Sequence, residues 1–374
     1  SCAKDRTMHL CPEEDLAFLF TEVKSMKLRN VTRSILKNNL KYLPFDEVFI
    51  KAGLFTYPFA VAFAIESQKL AKNPFIQIID DTYFEALATE IAPSNIRLSN
   101  IERQAIDAAD LIVWFSPYEE PAPKMSIEQE KAIQIWEEEQ ENLSRNKKIL
   151  WMTYPSKTVA QNTACHFNDL ERIFLSALTV PPEKLEAIGT PLLRKMQNAE
   201  EIKIQTGTNC ELLLDISDRK VEIESGYFTS SDDELYLPAG EVYVAPQETG
   251  ADGTIKFDHP LWGIHDLQLE LKQGRVIDFQ AKKGGKIFKR FLESATGNPE
   301  VIAEFAFGLN PACKPIGWFL LDEKALGTIH LAIGENRHMG GTNQSSLHKD
   351  FICTEASVFV DSKEIMSKGE LIFE

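Results

Sequence analysis

The pattern of apolar and polar positions changes character a little past the middle of the chain. Up to about residue 200, short apolar runs alternate with amphipathic stretches. "EVFIKAG", "FIQIID", "ADLIVWFSP" and "KILWMTYPS" are compact and apolar, as strands buried on both faces are. Between them lie "FAVAFAIESQKLAKN", "TYFEALATEIA" and "SIEQEKAIQIWEEEQENLSRN", and before them "EEDLAFLFTEVKSMKLRNVTRSILKNNLKYL". Their apolar residues recur every three or four positions, which predicts helices. Strands that alternate with helices predict a mainly parallel sheet covered on both faces.

Beyond residue 200 the period becomes two. "EIKIQTGTNCELLLDISDRKVEIESG", "EVYVAP", "DLQLELKQGRVIDFQAKKG" and "TIHLAIG" alternate apolar and polar positions between Gly, Asn and Asp turns. That predicts antiparallel strands. "GKIFKRFLESAT" interrupts them as a helix. The expected organisation is an α/β domain over 1–200, then an α+β domain rich in antiparallel strands over 201–374, with the boundary near 195–205.

Composition narrows the function classes. The chain has 374 residues, 44% hydrophobic and 26% charged, with a net charge of −16. Those are globular values. The acidic balance argues against nucleic acid or an anionic membrane as partner. No apolar run reaches spanning length. Neither GxGxxG nor GxxxxGK[ST] occurs, so the turns lack a phosphate-cradling loop. Six cysteines without a CxxC read as reduced thiols, consistent with a cytoplasmic protein. The opening "SCAKDR" leaves an alternative, a bacterial lipoprotein anchored through Cys2.

The candidate chemistry is concentrated late in the chain. His330, His338, His348 and Asp350 fall within "LGTIHLAIGENRHMGGTNQSSLHKDF", although the protein has only seven histidines. His348-Lys-Asp350 on a strand places both ends of the motif on one face. Glu241 opens a strand in "LPAGEVYVAP" and Glu304 lies in "AEFAFGLNP". Each taken singly is ordinary: a strand-opening Glu is usually solvated, and a His in "TIHLAI" is usually a satisfied core residue. Together, imidazole and carboxylate suit zinc, cobalt, manganese or iron(II). Five such groups exceed what one tetrahedral ion needs and suggest two ions bridged by a carboxylate.

In this order, "LPAGEVYVAP", "AEFAFGLNP", "LLDEKALGTIHLAIG" and "GGTNQSSLHKD" resemble the M29 family of metallo-aminopeptidases. The resemblance implies that Glu241, Glu304, His330, His348 and Asp350 hold two divalent ions, and that the protein is a homodimer acting on short peptides. On the peptidase reading, Glu304 is the carboxylate we choose for a second role, accepting the nucleophile's proton and passing it to the leaving amine. "DEK" at 322–324 also matches a family motif, without an independent chemical argument. One position departs. The family's metal-site tyrosine, seven residues after the first histidine, is here Arg337. Arginine has no lone pair to offer a cation. Either His338 or a tyrosine from elsewhere fills the gap, or the second ion is held weakly. Arg337 is itself a candidate for binding an anionic part of the substrate or a developing oxyanion.

Two rival readings share this resemblance. Iron(II) ring-cleaving dioxygenases resemble the same family, and would use His330, His348 and Asp350 as a triad around one ion. Glu241 discriminates, because the dioxygenase pattern lacks it. A degenerate, non-catalytic homologue is the other alternative.

Overall fold

The computed structural model describes residues 12–41, 43–116, 125–163, 165–228 and 234–372, with side chains from Ser25 onward apart from Glu130 and Glu141. Cys2 and Cys11 lie outside the described residues, and the other four cysteines are free thiols. No described helix is long and apolar enough to cross a membrane. Contacts divide the chain into two compact units. One runs to Tyr154 and includes 230–234; the other comprises Pro155–Thr229 and Leu235–Glu374. The sequence pattern puts the boundary near 200, whereas the contacts divide the chain after Tyr154.

The first unit is built on a parallel sheet. Strands β1 (Glu47–Gly53), β2 (Asn73–Ile79), β3 (Leu111–Phe115) and β4 (Lys148–Met152) run in the order β2-β1-β3-β4. Parallel neighbours need crossovers. These contain α2 (Tyr57–Lys69), α3 (Asp81–Thr89), α4 (Asn100–Ala108) and α5 (Ile127–Ser144), after an opening helix α1 (Pro12–Asn38). Serines start two of them: Ser99 Oγ accepts from Glu102 N, and Ser126 Oγ from Gln129 N. Strands β1, β3 and β4 are mostly buried, as the pattern predicts, whereas β2 at the sheet's edge is only partly covered, with Phe75 54% exposed. Ile50 and Val113 share one face; Phe49, Ile112 and Ile149 share the other, packed with Leu98, Ile106, Trp136 and Leu143.

One charge interrupts that core. Lys51 on β1 is 1% exposed, its ammonium 2.8 Å from Glu102 Oε1 and 4.4 Å from the centre of the Trp114 ring. It also donates to Gln140 Oε1.

The second unit opens with α6 (Lys157–Asn162), α7 (Phe167–Ala177) and α8 (Pro182–Met196). Its strands are β5 (Glu201–Thr206), β6 (Cys210–Asp215), β7 (Val221–Glu224), β9 (Glu241–Val244), β10 (Ala251–Phe257), β11 (His265–Lys272), β12 (Arg275–Lys283), β13 (Ile302–Gly308), β14 (Ile329–Gly334), β15 (His348–Cys353), β16 (Ser357–Val360), β17 (Lys363–Ser367) and β18 (Glu370–Leu371). The short β8 (Glu234–Tyr236), which begins in the first unit's 230–234 segment, precedes β9 and belongs to neither of this unit's sheets. Because α8 packs on β7 and β9, the three helices belong with this unit. An eight-stranded antiparallel sheet has the order β12-β11-β10-β6-β5-β16-β17-β18. A five-stranded antiparallel sheet has the order β15-β14-β13-β9-β7. The helix α9 (Gly285–Ser294) appears where periodicity predicts it, and packs on β12.

The two sheets differ in burial. Strand β5 alternates between buried and more exposed residues, but β13 and β14 are buried throughout. On one face of the five-stranded sheet lies an apolar layer of Val242, Phe305, Phe307, Leu331 and Phe351. Phe351 meets Phe257 of β10 at 5.4 Å and Phe288 of α9 at 5.6 Å. The opposite face is buried too, yet it is not apolar.

Glu102→Ala tests the charge inside the first unit. It leaves Lys51 buried without its carboxylate, and the expected loss is roughly 3–5 kcal/mol. Urea denaturation of the variant measures it; a loss below about 1 kcal/mol would remove the pair from the account of this core.

Candidate metal centre

Residues directly opposite each other in an antiparallel pair share a face. The register of the five-stranded sheet therefore decides which side chains meet. Glu241 lies opposite Glu224 and Gly308, His330 opposite Ala306, Asp350 opposite Ala332, and His348 opposite Gly334. Glu304 also pairs with Ala332, beyond a register shift that follows Ile302. All five expected ligands thus project from one face, and each lies opposite an alanine or glycine on a neighbouring strand. Short neighbours leave room for long polar side chains to converge.

Two glycines shape the surroundings. A Cβ on Gly308 would run into the carbonyl of Ala325, so glycine admits the segment that carries Glu323 and Lys324. Gly334 has φ +107° and passes close to the Leu347 carbonyl, where the chain enters β15. The one-turn helix α10 (Phe319–Asp322) is fixed by Asp322, which is fully buried. Its carboxylate accepts N–H bonds from Ile316 at 2.7 Å and Gly317 at 2.9 Å, and lies 2.8 Å from His259 Nε2.

The convergence is close. His330 Nε2 lies 3.3 Å from Glu241 Oε2 and 3.4 Å from Glu304 Oε1. His348 Nε2 lies 3.1 Å from Glu304 Oε2 and 3.7 Å from Asp350 Oδ1. Three overlapping groups have one potential ligand atom per residue, all within 4.8 Å of one another: Glu241–Glu304–His330, Glu304–His348–Asp350 and Glu323–His330–Asp350. Glu304 belongs to the first two groups. Glu323 was legible in the sequence only as part of "DEK", where a charged run gives no reason to single it out. Lys324 belongs to the same run and is marked no further in the sequence. Its ammonium is 2.6 Å from Glu241 Oε1, 3.1 Å from Glu224 Oε2 and 3.5 Å from Glu323 Oε1.

Burial sets the electrostatics. Glu241, Glu304, Glu323, His330 and Asp350 are all less than 9% exposed. Burial pushes Glu323 up to about 8, Lys324 pulling the other way, and it pushes Glu224 up to about 7 against the same lysine. Burial also opposes ionisation of Glu304, but His330 and His348 outweigh it and hold that carboxyl well below the usual range. Lys324 and His330 hold Glu241 down in the same way, again against burial. Burial would lower His348, yet Asp350 and Glu304 push it up to about 12. Protons therefore sit where a cation would.

The residues fit a divalent ion. Carboxylate oxygen and imidazole nitrogen are its ordinary donors. Glu241 Oε2 faces His330 Nε2 at 3.3 Å without a well-directed hydrogen bond, and His330 Nδ1 is buried without a partner; a buried carboxylate oxygen so placed suits a cation. His348 is already oriented: its Nδ1 donates to the Glu335 carbonyl at 2.7 Å, which leaves Nε2 facing the carboxylates.

The loop after β14 lies differently. Arg337 is half-exposed, and its Nε donates to Glu335 Oε1 at 2.8 Å. His338 is exposed and has Nδ1 2.7 Å from Glu335 Oε2, its ring 5.3 Å from that of His348. Neither belongs to a ligand group. Tyr243 does share the metal-facing side, through its pairing with Ala306 and Glu222, and burial with Glu222 and Glu241 holds its phenol protonated.

The family described as thermophilic metalloprotease (M29) matches residues 24–374. Two curated proteins match over 163 residues: aminopeptidase AmpS of Bacillus subtilis (strain 168) at 31% identity, and aminopeptidase 2 of Geobacillus stearothermophilus at 29%. In each case the match covers 37% of this chain and spans 38% of the relative's length. Among solved structures, wild-type AmpT from Thermus thermophilus is similar with a TM-score of 0.74 and 16% identity, over 93% of this chain and 99% of that one. 2,5-Dihydroxypyridine dioxygenase from Pseudomonas putida KT2440 is similar with a TM-score of 0.64 and 14% identity, over 94% and 98%. At such identities the two likenesses establish the fold alone.

Lys324→Met should expose how far the cluster depends on its one lysine. Removing that cation from between Glu224, Glu241 and Glu323 is expected to cost metal-free protein about 3–5 kcal/mol. Added divalent ion should restore part of the loss, since it binds only the folded chain. Denaturation midpoints with and without metal check both halves; an unchanged metal-free midpoint would contradict the charge account.

Proposed function

This chain belongs to the M29 family of thermophilic metalloproteases, and from that premise we propose that it is an aminopeptidase, releasing N-terminal residues from short peptides at a dinuclear metal site. The observation that carries the proposal is the sharing of Glu304 between two ligand groups, one completed by Glu241 and His330, the other by His348 and Asp350. Divalent ions in those groups would supply a water of lowered pKa and polarise the scissile carbonyl. Zinc, cobalt or manganese suits the donors.

The chain's own residues do the rest. Glu304 presents one oxygen to each histidine, so it faces both groups, and we assign it the proton taken from the nucleophile and returned to the leaving amine. The Glu335 carbonyl holds His348 in one tautomer and one orientation. The surplus of carboxylates attracts the cationic α-amine that marks a peptide's free end. Arg337, held at Nε by Glu335, is assigned to an anionic part of the substrate. A homodimer and a cytoplasmic location belong to the same reading and rest on the family resemblance.

The single-iron dioxygenase reading is less well supported. It needs His330, His348 and Asp350 around one ion, and the two histidines fall in different ligand groups. Glu241, which that reading has no use for, lies 3.3 Å from His330.

Protein purified without chelator should carry up to two divalent ions per chain by elemental analysis, and should cleave aminoacyl amides once zinc, cobalt or manganese is restored. Iron(II) alone, with no amide cleaved under any metal, would overturn the proposal in favour of the dioxygenase. Glu304→Gln should lower kcat by at least the roughly 10²–10⁴-fold that general acid–base catalysis contributes. His348→Ala should reduce metal affinity by more than the roughly 10–100-fold that an outer-shell partner is worth. Titration against a competing chelator measures the second, steady-state kinetics the first; full activity in Glu304→Gln would remove that residue from the mechanism.

A further inference from the structure

Trp262 is in a backbone conformation that aromatic residues avoid. It has φ +58° and is followed by Gly263 at +75°, inside a two-residue turn closed by Leu261 N to Ile264 O at 3.1 Å and Ile264 N to Leu261 O at 2.8 Å. Turns with both central residues at positive φ favour Asn-Gly, because a bulky Cβ there is strained. Among the described residues, nine non-glycine positions have positive φ; Trp262 is the sole aromatic, and most of the others are polar turn formers. Strain of this kind persists only where the surroundings enforce it.

What the indole touches gives the reason. Its Nε1–H donates to the Asp350 carbonyl at 3.2 Å. Asp350 lies on β15, the last strand of its sheet. The ring also packs on Phe319 at 5.3 Å, and Lys349 Nζ lies 3.2 Å from the ring centre. Phe319 opens α10, the helix that ends just before Glu323. Three residues before Trp262, His259 holds Asp322 of the same helix. The turn is therefore tied on one side to the strand of Asp350 and on the other to the helix that leads to Glu323. Those two carboxylates, with His330, form the third ligand group.

We infer that Trp262 is a positioning residue for the metal centre, a strut whose indole sets the spacing between Asp350 and Glu323. The inference rests on the metal-binding part of the proposed function. It goes further by giving a task to a residue that offers no ligand atom.

The test uses the full chain, freed of metal, with zinc or manganese(II) alone as probe. Trp262→Asn suits the turn but removes the strut; Trp262→Phe keeps a ring and removes the N–H. Trp262→Asn should unfold in urea at or above the wild-type midpoint while its metal affinity, by chelator competition, falls about 10–100-fold, as expected for an outer-shell partner. Trp262→Phe should fall less. Wild-type affinity in Trp262→Asn would overturn the inference, as would a loss of affinity that merely follows a lowered midpoint in both variants. If wild-type protein binds neither ion, the metal-site reading itself fails, and the strut with it.

Discussion

The second unit depends on one electrostatic constraint: more carboxyl groups gather over one face of a sheet than its own cations can hold ionised, and burial pushes Glu323 and Glu224 towards the neutral form. Glu224, Glu241, Glu304, Glu323 and Asp350 are buried or nearly so around Lys324, His330 and His348. Charges taken out of water cost several kcal/mol each unless paired. Lys324 meets that demand on the Glu241 side, and protonated imidazoles meet it around Glu304 and Asp350. This arrangement favours an added cation more strongly than any single residue in it would.

The supporting structure follows from the same demand. The opposite face of the sheet is a continuous apolar layer, so hydrophobic burial holds the strands in register whatever the polar face costs. Alanine and glycine opposite the ligand positions give up packing that larger residues would supply. The strained Trp262 and the fully buried, fully bonded Asp322 lie immediately outside the cluster.

Much of this was readable from residue order. The parallel strands of the first unit are apolar on both faces, and their composition says so directly. His348 and Asp350 share a face because strands have period two, and that too is visible in "LHKD". "TIHLAIG" was harder, since a strand buried on both faces by different chemistry resembles an ordinary core strand. Glu323 and Lys324 could not be weighed at all. Their part depends on Gly308 allowing the segment to approach Glu241 across a gap of more than 80 positions in sequence, a distance that no periodicity spans. The helices α6 to α8 read as part of the alternating first half because their pattern is helical, while their packing partners lie after residue 200. Arg337 read as a candidate for an anionic part of the substrate or a developing oxyanion; in the fold its guanidinium meets Glu335, two residues before it.

Glu304 has a consequence for how the centre fills. With one oxygen towards His330 and the other towards His348, it cannot give full charge to both groups at once. A cation in either group withdraws charge that the other would use. Two ions held there would be linked in occupancy, and linkage is reciprocal: whatever free energy the first cost the second, the second would cost the first. Loading such a centre would follow a curve shallower than that of two independent sites.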